Sequence, residues 1–242
     1  MKKFISFVAA LLLAVSAFAQ EVQFQYDFHR SKVAEKPYLT TTLTQTAFDK
    51  WGSTFYFVDF DFTESPDKVV YGEVQRALNF WQNTALKDMY VLVEYNGGIL
   101  PAFNGVISQA FLTGIGYSFH DESFRNFLQL QVLYRHFFGN TFGNPNQDIP
   151  VQLTAVYTCR DLFNVKGLLF SGFADFWWQD KIVAGDETSV IFSAEPQLWY
   201  NVGQHFGVNN LHVGGEVEVS VNAYDNDHHF TAWPAAGIRW TF

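Results

Sequence analysis

After its first two dozen residues the chain alternates apolar and polar side chains with a period of two, segment after segment. In 53–64, Tyr56, Val58, Phe60 and Phe62 alternate with positions that include Asp59 and Asp61. In 189–201, Val190, Phe192, Ala194, Pro196, Leu198 and Tyr200 alternate with a set that includes Ser193, Glu195 and Gln197. In 211–222, Leu211, Val213, Val217, Val219 and Val221 alternate with His212, Glu216, Glu218, Ser220 and Asn222. Successive strand residues point to opposite faces, so each segment predicts a strand with one greasy and one ionisable face. No segment carries a persuasive helical period. About twelve such segments are expected, at 21–30, 38–48, 53–64, 69–81, 88–95, 106–119, 124–138, 149–160, 167–178, 189–201, 211–222 and 230–242.

A soluble sandwich also alternates, with its charged face in water and its greasy face against a second sheet. Three features favour a closed membrane barrel. The segments are longer than the usual five or six residues. Aromatics recur near segment ends, at Trp51, Trp81, Tyr90, Tyr95, Tyr117, Tyr134, Trp178, Tyr200 and Trp240, and aromatic residues gather at lipid interfaces. The chain stops on an alternating Ile238-Arg239-Trp240-Thr241-Phe242. The expected class is therefore all-β, a transmembrane antiparallel β-barrel of about 12 strands. An even count puts both termini on one side, the periplasm. Connections after odd-numbered strands then face outward, and the Gly-rich Asn96–Gly105 and the polar 138–148 and 224–229 suit that role.

The first residues set the compartment. Lys2 and Lys3, an apolar run from Phe4 to Val15, and Ala17-Phe18-Ala19 have the layout of a secretory signal peptide. Residues 1–19 are expected to be the leader and 20–242 the barrel, placed in the cell outer membrane. Without Lys2 and Lys3, about 13 basic residues oppose 24 acidic ones, a net charge of about −11. Such a chain is a poor nucleic-acid binder, because phosphate needs clustered Lys and Arg. Cys159 is the only cysteine, so no intramolecular disulfide can form.

If the greasy face meets lipid, the other face lines a lumen. Its candidate residues are Phe55, Phe57, Asp59, Asp61, Tyr71, Glu73, Glu94, Arg135, Asp175, Trp177, Glu195, Glu216, Glu218 and Arg239, with Asp27, His29, Gln129, Gln131, Arg160 and Trp199 beside them. Twelve strands lie between the eight that side chains fill and the sixteen that leave an aqueous channel. Acids outnumber arginines, so the surplus must meet water, cations or a solute. Lumen aromatics offer stacking surfaces for a base or sugar, or simply fill space. The expected partners are outer-membrane lipid and a small polar solute. The expected function is passive passage of that solute, with a plugged structural or receptor barrel as the alternative.

By strand direction, Asp59, Asp61, Glu73, Glu94 and Asp175 belong in the outer half of the lumen with only Arg135 beside them. That imbalance predicts mild cation preference. Enzymatic readings are weak: His29 and Ser31 lie close together, but no acid or oxyanion partner can be assigned. Asp225, Asp227, His228 and His229 suit a metal or, more simply, a solvated loop tip. Neither an enzyme nor a cofactor is expected, since no phosphate-cradling Gly motif and no zinc-type Cys spacing occurs.

Several stretches together carry a family resemblance: Trp51 followed by Phe55-Tyr56-Phe57-Val58-Asp59-Phe60, Tyr71-Gly72-Glu73-Val74-Gln75-Arg76, Gly172-Phe173-Ala174-Asp175-Phe176-Trp177-Trp178, and the closing aromatic strand. With these the chain resembles the nucleoside-specific channel-forming (Tsx-like) outer-membrane family, in its Bacteroidetes-type branch. The resemblance implies a monomeric twelve-stranded barrel with a narrow aromatic and ionisable lumen and weak nucleoside binding. One departure concerns Glu73 and Arg76. That family spaces the pair evenly on one face, whereas here they stand three apart. In a regular strand Arg76 then faces lipid, at about 2–4 kcal/mol if at mid-depth, unless a β-bulge returns it to the lumen.

Overall fold

The structure is a computed structural model, which describes residues 20–28, 38–62, 69–100, 105–138, 147–223 and 229–242. Its strands are β1 (Glu21–Asp27), β2 (Tyr38–Asp49), β3 (Gly52–Phe62), β4 (Val70–Leu78), β5 (Met89–Leu100), β6 (Gly105–His120), β7 (Phe127–Phe137), β8 (Val151–Arg160), β9 (Leu168–Val183), β10 in two runs (Asp186–Ala194 and Gln197–Tyr200), β11 (Leu211–Val221) and β12 (Phe230–Thr241). The two runs of β10 count as one strand because both lie between β9 and β11. The break falls at Glu195-Pro196, where proline has no N–H for the ladder. Pro196 still accepts from Val217 N at 3.1 Å, and Glu195 N donates to Phe173 O at 3.1 Å, so the register carries through.

Every strand pairs antiparallel with its sequence neighbours, and β1 pairs with β12 from Glu21↔Thr241 to Asp27↔Ala235. The sheet is thus a closed barrel of twelve strands with no edge. Gln20, the first described residue, and Phe242 lie at one end, where Phe242 N donates to Gln20 O at 2.9 Å. A soluble two-sheet sandwich is excluded by this closure.

Apart from Val22, which is buried on the outward parity of β1, the two faces separate along the strands. On β1, Gln23, Gln25 and Asp27 are buried while Phe24 and Tyr26 are exposed. On β7, Gln131, Leu133 and Arg135 are buried while Leu128, Leu130, Val132 and Tyr134 are exposed. Directly paired residues share a face, so the ladder carries this assignment around the barrel. The exterior is a continuous apolar surface that includes Phe111, Ile115, Tyr117, Leu153, Leu198, Val213, Ile238 and Trp240. An apolar exterior of this extent suits lipid and not water.

Four expectations need correction. Asn96–Leu100 is strand, not outer loop, because a register shift between Asn96 and Gly98 lets β5 keep pairing with β6. The connection after β9 shrinks to Ala184 and Gly185, whose φ of 52° and 88° suit the tight hairpin turn that matches strand twist. β9 and β10 are longer toward that end as a result. Glu94 and Asp175 therefore stand near the middle of their strands and not late in them. Finally, Tyr90, expected at the lipid interface, points inward and is 6% exposed.

Arg76 is settled by register. Pairing on both sides of β4 is regular from Val70 to Leu78, so no bulge turns Arg76 inward. It faces outward, two residues from the terminal-end limit of its strand, and donates to Thr54 Oγ1 at 3.1 Å and Asp49 Oδ1 at 2.9 Å. Asp49 also accepts from Trp51 N and Gly52 N across the tight β2–β3 turn. At this rim the guanidinium needs no mid-membrane burial.

Turns at the terminal end are tied by carboxylates. Asp121 accepts from Ser123, Arg125 and Asn126 over 2.7–3.1 Å. Partial burial opposes ionisation, but these donors outweigh it and hold its carboxyl below the ordinary range. Asp161 accepts from Gly167 N at 2.8 Å and pairs with Arg125 at 2.9 Å, which hold it low as well. Such lowered groups stabilise the fold above the ordinary carboxylate pKa, and the contribution is lost as pH falls through the lowered value.

Two outcomes follow. In detergent, Asp121→Asn should be less stable than the parent at neutral pH, and the difference should shrink as pH falls through the lowered carboxyl value; a difference that does not change with pH shows that the turn carboxylate does not contribute. Gly185→Val, with φ at +88° and open space around it, should cost about 1–2 kcal/mol, read as a lower urea midpoint of the vesicle-inserted barrel.

Candidate functional site: the barrel interior

Cross-strand register assembles the interior from residues far apart in sequence. One row runs Phe57, Glu73, Asn96 and Ala110; the next runs Phe55, Gln75, Glu94, Leu112 and Arg135. A third runs Gln131, Thr154, Asp175 and Ser193. Glu73, Glu94, Asp175 and Arg135 come within electrostatic reach of one another.

Neutral donors hold each of these carboxylates. Tyr71 donates to Glu73 at 2.8 Å, Gln75 to Glu94 at 2.9 Å, and Thr154 to Asp175 at 2.5 Å. Arg135 donates to Gln152 and lies over both Phe137 and Trp177, each 4.6 Å from ring centroid to guanidinium carbon. Both rings make cation–π contacts to a desolvated arginine. One face of Trp177, expected to be open for stacking, is therefore taken by Arg135. Trp177 Nε1 donates to Gln179 at 2.9 Å.

The β3–β4 wall carries the other aromatics. Phe55 and Phe57 are 6.2 Å apart between centroids, and Phe57 and Tyr71 are 6.1 Å apart, each pair tilted. Asp59 and Asp61 follow on the same face toward the far end, with Asp61 accepting from Thr40 at 2.8 Å. Glu195, Glu216 and Glu218 are on β10 and β11; Gln197 donates to Glu216 at 2.8 Å. Arg239 sits near the terminal end in an ion pair with Glu21, about 5.9 Å from the Trp199 ring, with Arg160 and His212 within electrostatic reach. The interior is thus acidic at mid-length and basic near the terminal end.

Two groups of interior residues were missed from sequence. Thr40, Thr42, Thr44 and Thr46 form a hydroxyl ladder on β2, opposite Asp61, Asp59, Phe57 and Phe55. Their own alternation was a usable signal. Gln75, Gln152 and Thr154 hold the charged cluster, and share parity with the charges they hold. The lumen face is also less polar than expected: Leu92, Leu112 and Leu133 are interior and at most 1% exposed. Parity assigns a face, but a leucine on the polar parity was not weighed as lining.

His29, Ser31, Asp225, Asp227 and His228 lie outside the described residues. His229 approaches Asp186 at 3.6 Å. Among the described residues, no group of His, Cys, Asp and Glu is placed to hold a metal ion.

Among solved structures, the chain is similar to the NanC porin, at 12% identity and a TM-score of 0.56, over 93% of this chain and 99% of that one. It is also similar to the KdgM porin solved with disordered oligogalacturonate, at 9% identity and 0.47, over 92% and 99%. A third is the outer membrane protein Omp33 of Acinetobacter baumannii, at 12% identity and 0.42, over 92% and 97%. At such identity the likeness to NanC speaks for the fold alone. The nucleoside specificity implied by sequence resemblance rests on that resemblance only. No curated protein matches the chain in sequence. Residues 19–242, the whole of the described barrel, match one family model, and the chain belongs to that family, the domain of unknown function DUF5020.

Proposed function

We propose that the chain is an outer-membrane channel for passive passage of small polar solutes. One observation carries this reading. Inward-facing Gln25 Oε1, Asn96 Oδ1, Gln131 Oε1, Arg135 Nε, His212 Nδ1 and Arg239 Nε are buried and have no protein partner. Each such atom costs about 1–3 kcal/mol if left dry, so we read the interior as holding bound water beside these groups and not as packed dry. The apolar exterior and the leader-like first residues support an outer-membrane setting, with the termini in the periplasm.

Solute choice follows from the lumen. Asp59, Asp61, Glu73, Glu94 and Asp175 face one arginine, Arg135, so anions are disfavoured. A neutral nucleoside can hydrogen-bond to the carboxylates, as the sequence resemblance implies. Its stacking surface is the Phe55–Phe57–Tyr71 wall in preference to Trp177. The sequence resemblance implies a monomer, and we expect the barrel to act as one.

A plugged barrel is the second reading, favoured by Trp199, Leu92, Leu112 and Leu133, which are at most 1% exposed inside the barrel. Planar-bilayer recording separates the two. Discrete conductance steps that titrate with a nucleoside support the channel and its finer reading. Steps without a nucleoside effect keep the channel alone, and silence in bilayers together with no liposome swelling favours the plug. Asp59→Asn with Asp61→Asn should move the reversal potential toward zero under a salt gradient. Anion selectivity in the parent, or no movement in the double variant, would show that these residues do not line an open path.

A further inference from the structure

The interior is not uniform around its circumference. On β5, β6 and β7 it carries one apolar cluster: Tyr90, Leu92, Ala110, Leu112 and Leu133, between 0% and 6% exposed, with Ala77 and Phe137 packed against it. Two glycines on β6 make room for it. A Cβ on Gly116 would meet Tyr90 ring atoms at 2.2–2.5 Å, and one on Gly114 would meet Leu133 Cδ2 at 3.0 Å. The Tyr90 ring therefore lies flat over β6, with its hydroxyl accepting from Gln131 on β7 at 3.2 Å.

The β2–β4 wall is different. Thr42, Thr44, Phe55, Phe57, Asp59 and Glu73 share the inward face and are only half-buried. Hydroxyls, carboxylates and tilted rings alternate there at ladder spacing, and these side chains keep partial exposure where those of the β5–β7 cluster are buried. No comparable apolar layer covers it among the described residues.

We propose that the solute path is eccentric. It runs along the β2–β4 wall, with the Thr42–Thr44 hydroxyls and the Phe55–Phe57 rings as its lining, while the Tyr90–Leu133 cluster is a fixed wedge that seals the β5–β7 side. The proposal rests on the channel reading. It places specificity on residues that the charge inventory alone does not single out. A neutral ring bearing hydroxyls fits this wall, since its faces can lie on the phenyl rings while its edge bonds to Thr and Asp oxygens. A bulky anion does not fit it.

Thiol accessibility tests the placement. Cys159 faces outward, paired with Phe170 on the lipid face, so Cys159→Ser removes the native thiol without touching the lumen. In that parent, Thr42→Cys and Thr44→Cys probe the track. Leu133→Cys and the smaller change Ala110→Cys probe the wedge, and heat-modifiable migration confirms that each is folded. A membrane-impermeant cationic thiol reagent is added during bilayer recording. The expected result is loss of most of the current in Thr42→Cys and Thr44→Cys, with little change in Leu133→Cys and Ala110→Cys. Equal block at both sites, or block at the wedge alone, overturns the eccentric path while leaving the channel intact. A parent that does not conduct overturns the channel reading and this inference with it.

Discussion

Closure of β1 onto β12 is the constraint on which everything else depends. Within lipid no water is present to pair with backbone N–H and C=O groups, so a sheet crosses a membrane only if it has no edge. The seven-residue register from Glu21↔Thr241 to Asp27↔Ala235 supplies that closure. It also fixes which parity of each strand is inside. Gln23 and Gln25 go in and Phe24 and Tyr26 go out, and every ladder partner inherits the choice.

With the faces fixed, the small circumference brings opposite walls close. Glu73, Glu94, Asp175 and Arg135 stand on four different strands yet interact. Their charges are not cancelled one for one. Neutral donors such as Tyr71, Gln75 and Thr154 orient the carboxylates, and two aromatic rings hold the arginine. Such an arrangement gives fixed charges at defined positions while leaving polar atoms such as Asn96 Oδ1 and Gln131 Oε1 for water. The apolar cluster on β5–β7 narrows the same interior from one side, so polarity and packing share the cross-section.

Strand identity, alternation and class were legible from residues, because a period of two needs only local sequence. Asp59 and Asp61 against Tyr56, Val58 and Phe60 place a face without knowledge of any partner strand. Connections were less legible. Asn96-Gly97-Gly98 has loop composition, yet β6 supplies a pairing partner and a register shift keeps it in the sheet. Ala184-Gly185 is too short a signal to mark a turn by composition, and only the paired strands on either side reveal it.

By itself the sequence determined a two-faced β-chain with an acidic inner lining and a greasy exterior, since alternation and composition are properties of the chain alone. Only the tertiary structure decided which interior residues meet. It put Arg135 against Phe137 and Trp177 and Arg76 at the rim against Asp49, and gathered Tyr90, Leu92, Leu112 and Leu133 on one wall. The reason is that a contact across a barrel depends on register and stagger summed over many strands. A one-residue shift in any ladder, invisible in local sequence, moves every side chain beyond it to a new neighbour.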